Sequence, residues 1–249
     1  MGWGYGHPVP AILVHGVPET TELWGPLADR LSRDDVVLLG LPGFGSPAPD
    51  FEPDMEGYAT WLAGELAAHD EVDLVAHDWG ALLALRVLAS KPANVRSWAM
   101  DGGNLDAGFE WHDLAKLWIS PDGDAFMDGL VGGPVDDRAA LLAGAGVPTD
   151  GAASMARTFD ATMASCILTL YRSSTDLGNE WGPGIDSIEG PGLVFDADAD
   201  PFKGPGVAQT RADRVGAAVA TLPGAGHWWM LDHPDDAAAV LDRFWSTLG

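Results

Sequence analysis

The stretch Val72-Asp73-Leu74-Val75-Ala76-His77-Asp78-Trp79-Gly80, running on into Ala81 to Ala89, decides the fold. Val72 to Ala76 is a short apolar run suited to a buried strand. Ala81-Leu82-Leu83-Ala84-Leu85 opens a helix that is apolar on almost every side, so it is buried as well. Small residues, Ala76 and Gly80, stand two positions either side of Asp78. A strand that passes directly into a helix makes a sharp, strained turn, and small neighbours let its middle residue stand clear above the sheet. A carboxylate there is already anionic at neutral pH and can attack an sp3 carbon that carries a strained or good leaving group. The plainer alternative is that Asp78 only caps the helix starting at Trp79.

Working outward, further apolar runs read as strands at Ala11 to Val14, Val36 to Leu39, Val95 to Met100, Leu193 to Phe195 and Ala217 to Leu222. Helical patterns lie between them, at Thr21 to Leu31, Tyr58 to Ala68 and, at the end, Pro234 to Leu248. Continuous apolar strands alternating with helices predict an α/β fold with a mostly parallel sheet covered on both faces. The alternation stops between about 104 and 188. There the pattern is helical near Asp136 to Ala143 and Ser154 to Leu170, with Trp- and Gly-rich loops. This predicts a core of 1–103 and 189–249 with a helical insertion, 104–188, over the end of the sheet.

Composition narrows the partners. The 249 residues include 37 acidic against 13 basic ones, a net charge of -24. Nucleic acid and anionic membrane surfaces need a positive footprint, so neither is an expected partner. The single cysteine, Cys166, cannot form an internal disulfide. The N-terminal MGWGYGHPVP lacks the pattern of a signal peptide, and no run is long enough to span a membrane. The expectation is a cytoplasmic protein whose partners are a small molecule and water. Its oligomeric state is open.

Three motifs carry a family resemblance. His15-Gly16-Val17-Pro18-Glu19 follows the first strand, Leu41-Pro42-Gly43-Phe44-Gly45 the second, and His77-Asp78-Trp79-Gly80 the third. In this order they resemble the α/β-hydrolase fold superfamily, within it the epoxide hydrolase and haloalkane dehalogenase branch with an Asp nucleophile. The resemblance covers nearly the whole core. It departs at the start, where only about a dozen residues precede the first strand and relatives have a leading hairpin; the sheet is expected to be shortened at that edge.

The resemblance implies roles residue by residue. Backbone N–H groups of Val17 and Trp79 form an oxyanion hole, with His15 and Pro18 shaping the loop. His227, in Gly226-His227-Trp228-Trp229 after the last strand, is the general base; a histidine near its natural pKa can take a proton from water and return it. Asp200, in Asp196-Ala197-Asp198-Ala199-Asp200-Pro201, is the acid orienting His227, with Asp101 at the end of the preceding strand as a competitor. The spacing of Asp196, Asp198 and Asp200 is not an EF-hand loop, because Pro201 and Val207 occupy the positions that need Gly and an acid. No metal or cofactor is implied.

In the insertion, Tyr171-Arg172 looks like the cap tyrosine of epoxide hydrolases, which holds the epoxide oxygen. Of the other tyrosines, Tyr5 and Tyr58 lie outside the insertion, so His112 is the candidate for the second donor. The implied activity is opening of an apolar or aromatic epoxide to a vicinal diol through an Asp78 ester. Two readings compete with it: a dehalogenase using the same nucleophile and base, with Trp79 and a cap Trp or His holding halide, and a non-catalytic ligand- or partner-binding member of the fold.

Overall fold

The computed structural model describes residues 9–102 and 105–248. Residues 1–8, with Tyr5, and the expected 103/104 boundary lie outside those residues. Six strands form one sheet: β1 (Ala11–Val14), β2 (Val36–Leu39), β3 (Val72–Ala76), β4 (Val95–Met100), β5 (Gly192–Ala197) and β6 (Ala218–Leu222). The order is β2-β1-β3-β4-β5-β6, and every neighbouring pair is parallel. Parallel strands cannot be joined by tight hairpins, so each connection crosses a face and covers it.

The period of two along each strand divides the core. Ile12, Val14, Leu74, Ala76, Trp98 and Met100 face one layer, where α2 (Met55–Ala67) and α3 (Trp79–Leu88) lie. Ala11, Leu13, Val75, Ala99 and Phe195 face the other, with α1 (Gly25–Ala28) and, at the end of the chain, Ala237, Ala238 and Leu241 of its last helix. Both faces of the central strands β1 and β3 are therefore dry, while the edge strands β2 and β6 are partly exposed.

Between β4 and β5 the described residues form six helices: α4 (Asp113–Ile119), α5 (Gly123–Gly132), α6 (Val135–Gly144), α7 (Thr149–Thr158), α8 (Ala161–Ser173) and α9 (Leu177–Ile185). The pattern over Ser154 to Leu170 predicts one helix; the structure breaks it in two. Phe159 is extended, and the Asp160 carboxylate accepts from the Met163 N–H, capping the start of α8. The cap's side chain competes with helical continuation and wins. After β5 come α10 (Val207–Val215), α11 (Trp229–Asp232) and α12 (Pro234–Ser246).

Thr21 to Leu31, expected as one helix, is a 3-10 turn at Thr21–Trp24 followed by the single turn of α1. Pro26 lacks an N–H, so it sits where a helix starts rather than inside one. No helix among the described residues is long and apolar enough to cross a membrane.

Candidate active site

Asp78, Asp101, Asp200 and His227 all follow strands at the carboxyl edge of the sheet, where side chains from separate loops converge. Asp78 has φ 51° and ψ −120°. That region is disfavoured for a residue with a Cβ, at a cost of about 1–3 kcal/mol. Tight neighbours fix the turn. A Cβ on Gly16 would lie 2.3 Å from Asp78 Oδ1, and one on Gly80 would lie 2.5 Å from the Val14 carbonyl oxygen. Glycine at both places lets β1 and the head of α3 close around the carboxylate.

The two oxygens of Asp78 have different surroundings. Oδ1 accepts the Val17 N–H at 2.9 Å. Oδ2 lies 3.8 Å from His227 Nε2. Trp79 is the first residue of α3, so its amide has no carbonyl within the helix to reach. Burial raises the Asp78 pKa, and the positive potential of His227 and the Val17 amide works against that rise.

His227 Nδ1 lies 3.0 Å from Asp200 Oδ2, so of the two competing acids Asp200 is the one in contact with it. Burial disfavours the imidazolium, but the Asp200 hydrogen bond, the Asp200 charge and Asp78 outweigh it and lift the pKa above the ordinary value. Asp101 is instead wrapped around the turn. Its Oδ1 accepts the Asp78 N–H at 3.0 Å, and its Oδ2 lies 2.5 Å from His77 Nδ1 and accepts the Trp229 indole N–H. Buried among such donors, chiefly the cationic His77, its carboxyl is pulled down to about 2.

His77 is fully buried between two acids. Its other nitrogen lies 3.1 Å from Glu19 Oε1, and Glu19 also accepts from the Gly16 amide and the Trp228 indole. Both carboxylates raise the His77 pKa well above its ordinary value despite burial, so the ring is an imidazolium. Glu19, His77 and His227 have ligand atoms within 4.8 Å of one another. A metal would need a neutral imidazole with a free nitrogen, whereas both His77 nitrogens are engaged with carboxylates. The cluster reads as a hydrogen-bonded frame. The sequence reading missed Glu19 as a member; its one signal was its place at the end of the His15-Gly16-Val17-Pro18-Glu19 motif.

A cavity of about 200 Å³ opens onto Asp78 and His227. Trp111, His112, Leu114, Trp118 and Phe126 from the helical segment line it, together with Tyr171 of α8 and Phe202. Tyr171 is buried, its ring 5.4 Å from that of Trp79 and 4.8 Å from that of Trp118. Burial and the nearby Asp78 charge push its phenol far up, so its proton is held and available for donation. The Trp79 ring lies edge-on to Tyr171, and the indole N–H groups of Trp79 and Trp118 are buried with no full hydrogen-bond partner among the described residues.

His112 is the N-cap of α4. Its Nδ1 accepts the Ala115 N–H at 3.2 Å, which places the ring proton on Nε2. Burial lowers its pKa, leaving a neutral N–H donor in the cavity wall. Tyr58, by contrast, donates its hydroxyl to the Pro42 carbonyl and serves the loop after β2.

Strands, turn and convergent site together define an α/β enzyme scaffold with a carboxylate at the strand–helix turn. The chain matches the model of the alpha/beta hydrolase family over residues 11–240 and belongs to that family. It is similar to a proline iminopeptidase of Clostridium botulinum, 27% identical over 114 residues, which are 43% of this chain and 39% of that protein. It is also similar to a haloalkane dehalogenase of Psychrobacter cryohalolentis, 29% identical over 114 residues, which are 43% of this chain and 37% of that protein. These matches span about two fifths of each curated relative. Among solved structures, a haloalkane dehalogenase of Bradyrhizobium elkani superposes with a TM-score of 0.76 at 21% identity, covering 98% of this chain and 92% of that one.

Proposed function

We propose that the protein is an epoxide hydrolase that opens an apolar or aromatic epoxide to a vicinal diol, with helices α4 to α9 as its cap. The observation that carries this reading is the asymmetry of the Asp78 carboxylate. Oδ1 is already held by the Val17 N–H, while Oδ2 faces the cavity near His227. Oδ2 attacks an epoxide carbon and the C–O bond of the ring breaks. Tyr171, with His112 as second donor, gives a hydrogen bond and then a proton to the departing oxygen, which is otherwise a poor leaving group.

The ester so formed has Oδ1 as its carbonyl oxygen. Water, deprotonated by His227, adds to the Asp78 carboxyl carbon, and the negative charge builds on Oδ1 against Val17 N–H and the free Trp79 amide. Collapse expels the second diol oxygen, which takes the proton from His227, and the proton left on the Asp78 carboxyl returns to the Tyr171 phenolate. Asp200 holds His227 in orientation throughout. Alkylation also removes the Asp78 charge, one of the influences that raise the His227 pKa. The imidazole therefore becomes a better neutral base when the second step needs one.

The unpartnered indole N–H groups of Trp79 and Trp118 favour a second reading, haloalkane dehalogenation. A buried donor without a partner costs about 1–3 kcal/mol, and a halide in the cavity would give the Trp118 N–H in its wall an acceptor. The two readings differ in the need for Tyr171, because halide leaves without protonation. The test is single turnover in oxygen-18 water with aryl epoxides and haloalkanes, then the mass of the Asp78 peptide. A gain of about 2 Da with an epoxide supports the ester route to a diol. A gain with haloalkanes only makes the protein a dehalogenase, and no gain with either class refutes Asp78 as nucleophile toward them.

A further inference from the structure

Arg138, on α6, lines the same cavity as Asp78 and His227. It is 91% buried, with a relative exposure of 9%. Buried arginines are ordinarily matched by an acid. This chain has 37 acidic residues, yet among the described residues none lies within ion-pair distance of Arg138. Its partners are carbonyls: Nε donates to Ala156 at 3.1 Å, and Nη1 to Leu130 at 2.6 Å and Gly133 at 2.9 Å. These carbonyls end α5 and α7, whose partial negative charge offsets part of the cation. The second amino group, Nη2, has no protein acceptor among the described residues, and the lysine lining the cavity, Lys203, is paired with Asp196.

We propose that Arg138 is an anion-binding subsite of the substrate cavity, and that the natural substrate carries a carboxylate at the end remote from the reacting carbon. This rests on the cavity being the substrate site, the reading given above, and adds a substrate class to it. Nη2 offers two N–H donors and a full charge in a wall that is otherwise apolar around Phe126, Leu130, Leu142 and Phe159. A charge-assisted contact made in such a place is about twice as strong as a neutral one. Leu141 and Leu142, three and four residues on and so on the same helix face, also line the cavity. Substrate thus has an apolar path between Arg138 and Asp78. The mobile part of recognition is an aryl or alkyl spacer, with polar fixation at its two ends.

The test needs no turnover. Binding of ω-phenylalkanoates with two to six methylenes, and of the matching neutral amides, is measured by calorimetry on the wild type, Arg138→Gln and Arg138→Lys. The expected result is a carboxylate preference of about tenfold or more in the wild type at one chain length, lost in Arg138→Gln and partly kept in Arg138→Lys. Equal binding of acid and amide, no binding of any acid at millimolar concentration, or a preference that survives Arg138→Gln overturns the subsite. Arg138→Gln also loses helix-end contacts, so its circular dichroism is recorded and the amides serve as its internal control. If acids are preferred but no epoxide or halide is ever consumed, the subsite stands and the reaction assigned to the cavity falls. If carboxylate-free epoxides turn over but acids are not preferred, the reverse holds.

Discussion

Replacing Asp101 by Asn tests the frame beneath the nucleophile. The wild-type carboxylate takes the Asp78 amide on one oxygen and the His77 and Trp229 N–H groups on the other. Asn keeps one acceptor but must turn its NH2 toward a donor, leaving a buried conflict whichever way the amide lies. Two routes give the magnitude. The carboxyl is held at about 2 against an ordinary 3.8, a gap worth about 2 kcal/mol at neutral pH. Removing one partner of a buried ion pair costs about 3–5 kcal/mol. Destabilisation of about 3 kcal/mol corresponds to a fall in Tm of about 6–12 °C for a chain of this size.

The pH dependence has a fixed sign. The folded pKa lies below the unfolded one, so the stabilisation is complete above about pH 4 and is lost as pH falls toward 2. The assay is thermal denaturation of wild type and Asp101→Asn in parallel from pH 7 down to the acid limit of folding. A Tm difference under about 2 °C at pH 7, or one that widens on acidification, refutes the reasoning.

His227→Gln leaves alkylation intact but removes the base, so about one equivalent of covalent adduct on Asp78 accumulates in intact-protein mass spectra. Because Asp78 raises the free-enzyme His227 pKa, the acid limb of kcat, set by the alkylated enzyme, falls at lower pH than the His227 titration of the free enzyme followed by NMR. Tyr171→Phe lowers kcat for epoxides by about a hundredfold and leaves haloalkane turnover, if present, unchanged; steady-state kinetics on both classes show which. Gly16→Ala drives a methyl onto Asp78 Oδ1 and costs about 2 kcal/mol or more in chemical denaturation, together with most of the activity.

All six strands were legible because each is a short, mostly apolar run between helical or turn patterns, and the central ones, β1 and β3, are buried on both faces. Asp78 was legible because its small neighbours in sequence, Ala76 and Gly80, announce a tight turn. The choice between Asp200 and Asp101 was not, since both follow strands at the same edge and only the position of the His227 ring separates them. Glu19 and His77 were hidden for a related reason: their pairing joins two strand exits 58 residues apart, and no local pattern encodes it. The break at Phe159 and Asp160 escaped because periodicity in Ser154 to Leu170 continues through it, while the capping hydrogen bond is a single side-chain event. Helices α5 and α9 lay in Gly-rich sequence where propensity is weak, and α4 and α10 are too short for a clear period, so tertiary burial decides.

Arg138 has a mechanical consequence as well. Helices α6 and α7 pack on each other between Gly133-Pro134 on one side and the extended Phe159 on the other. Arg138 reaches carbonyls at both of these joints, Gly133 at the entry and Ala156 close to the exit. One side chain thus ties the entry of α6 to the last turn of α7 and holds the pair at the cavity as a unit.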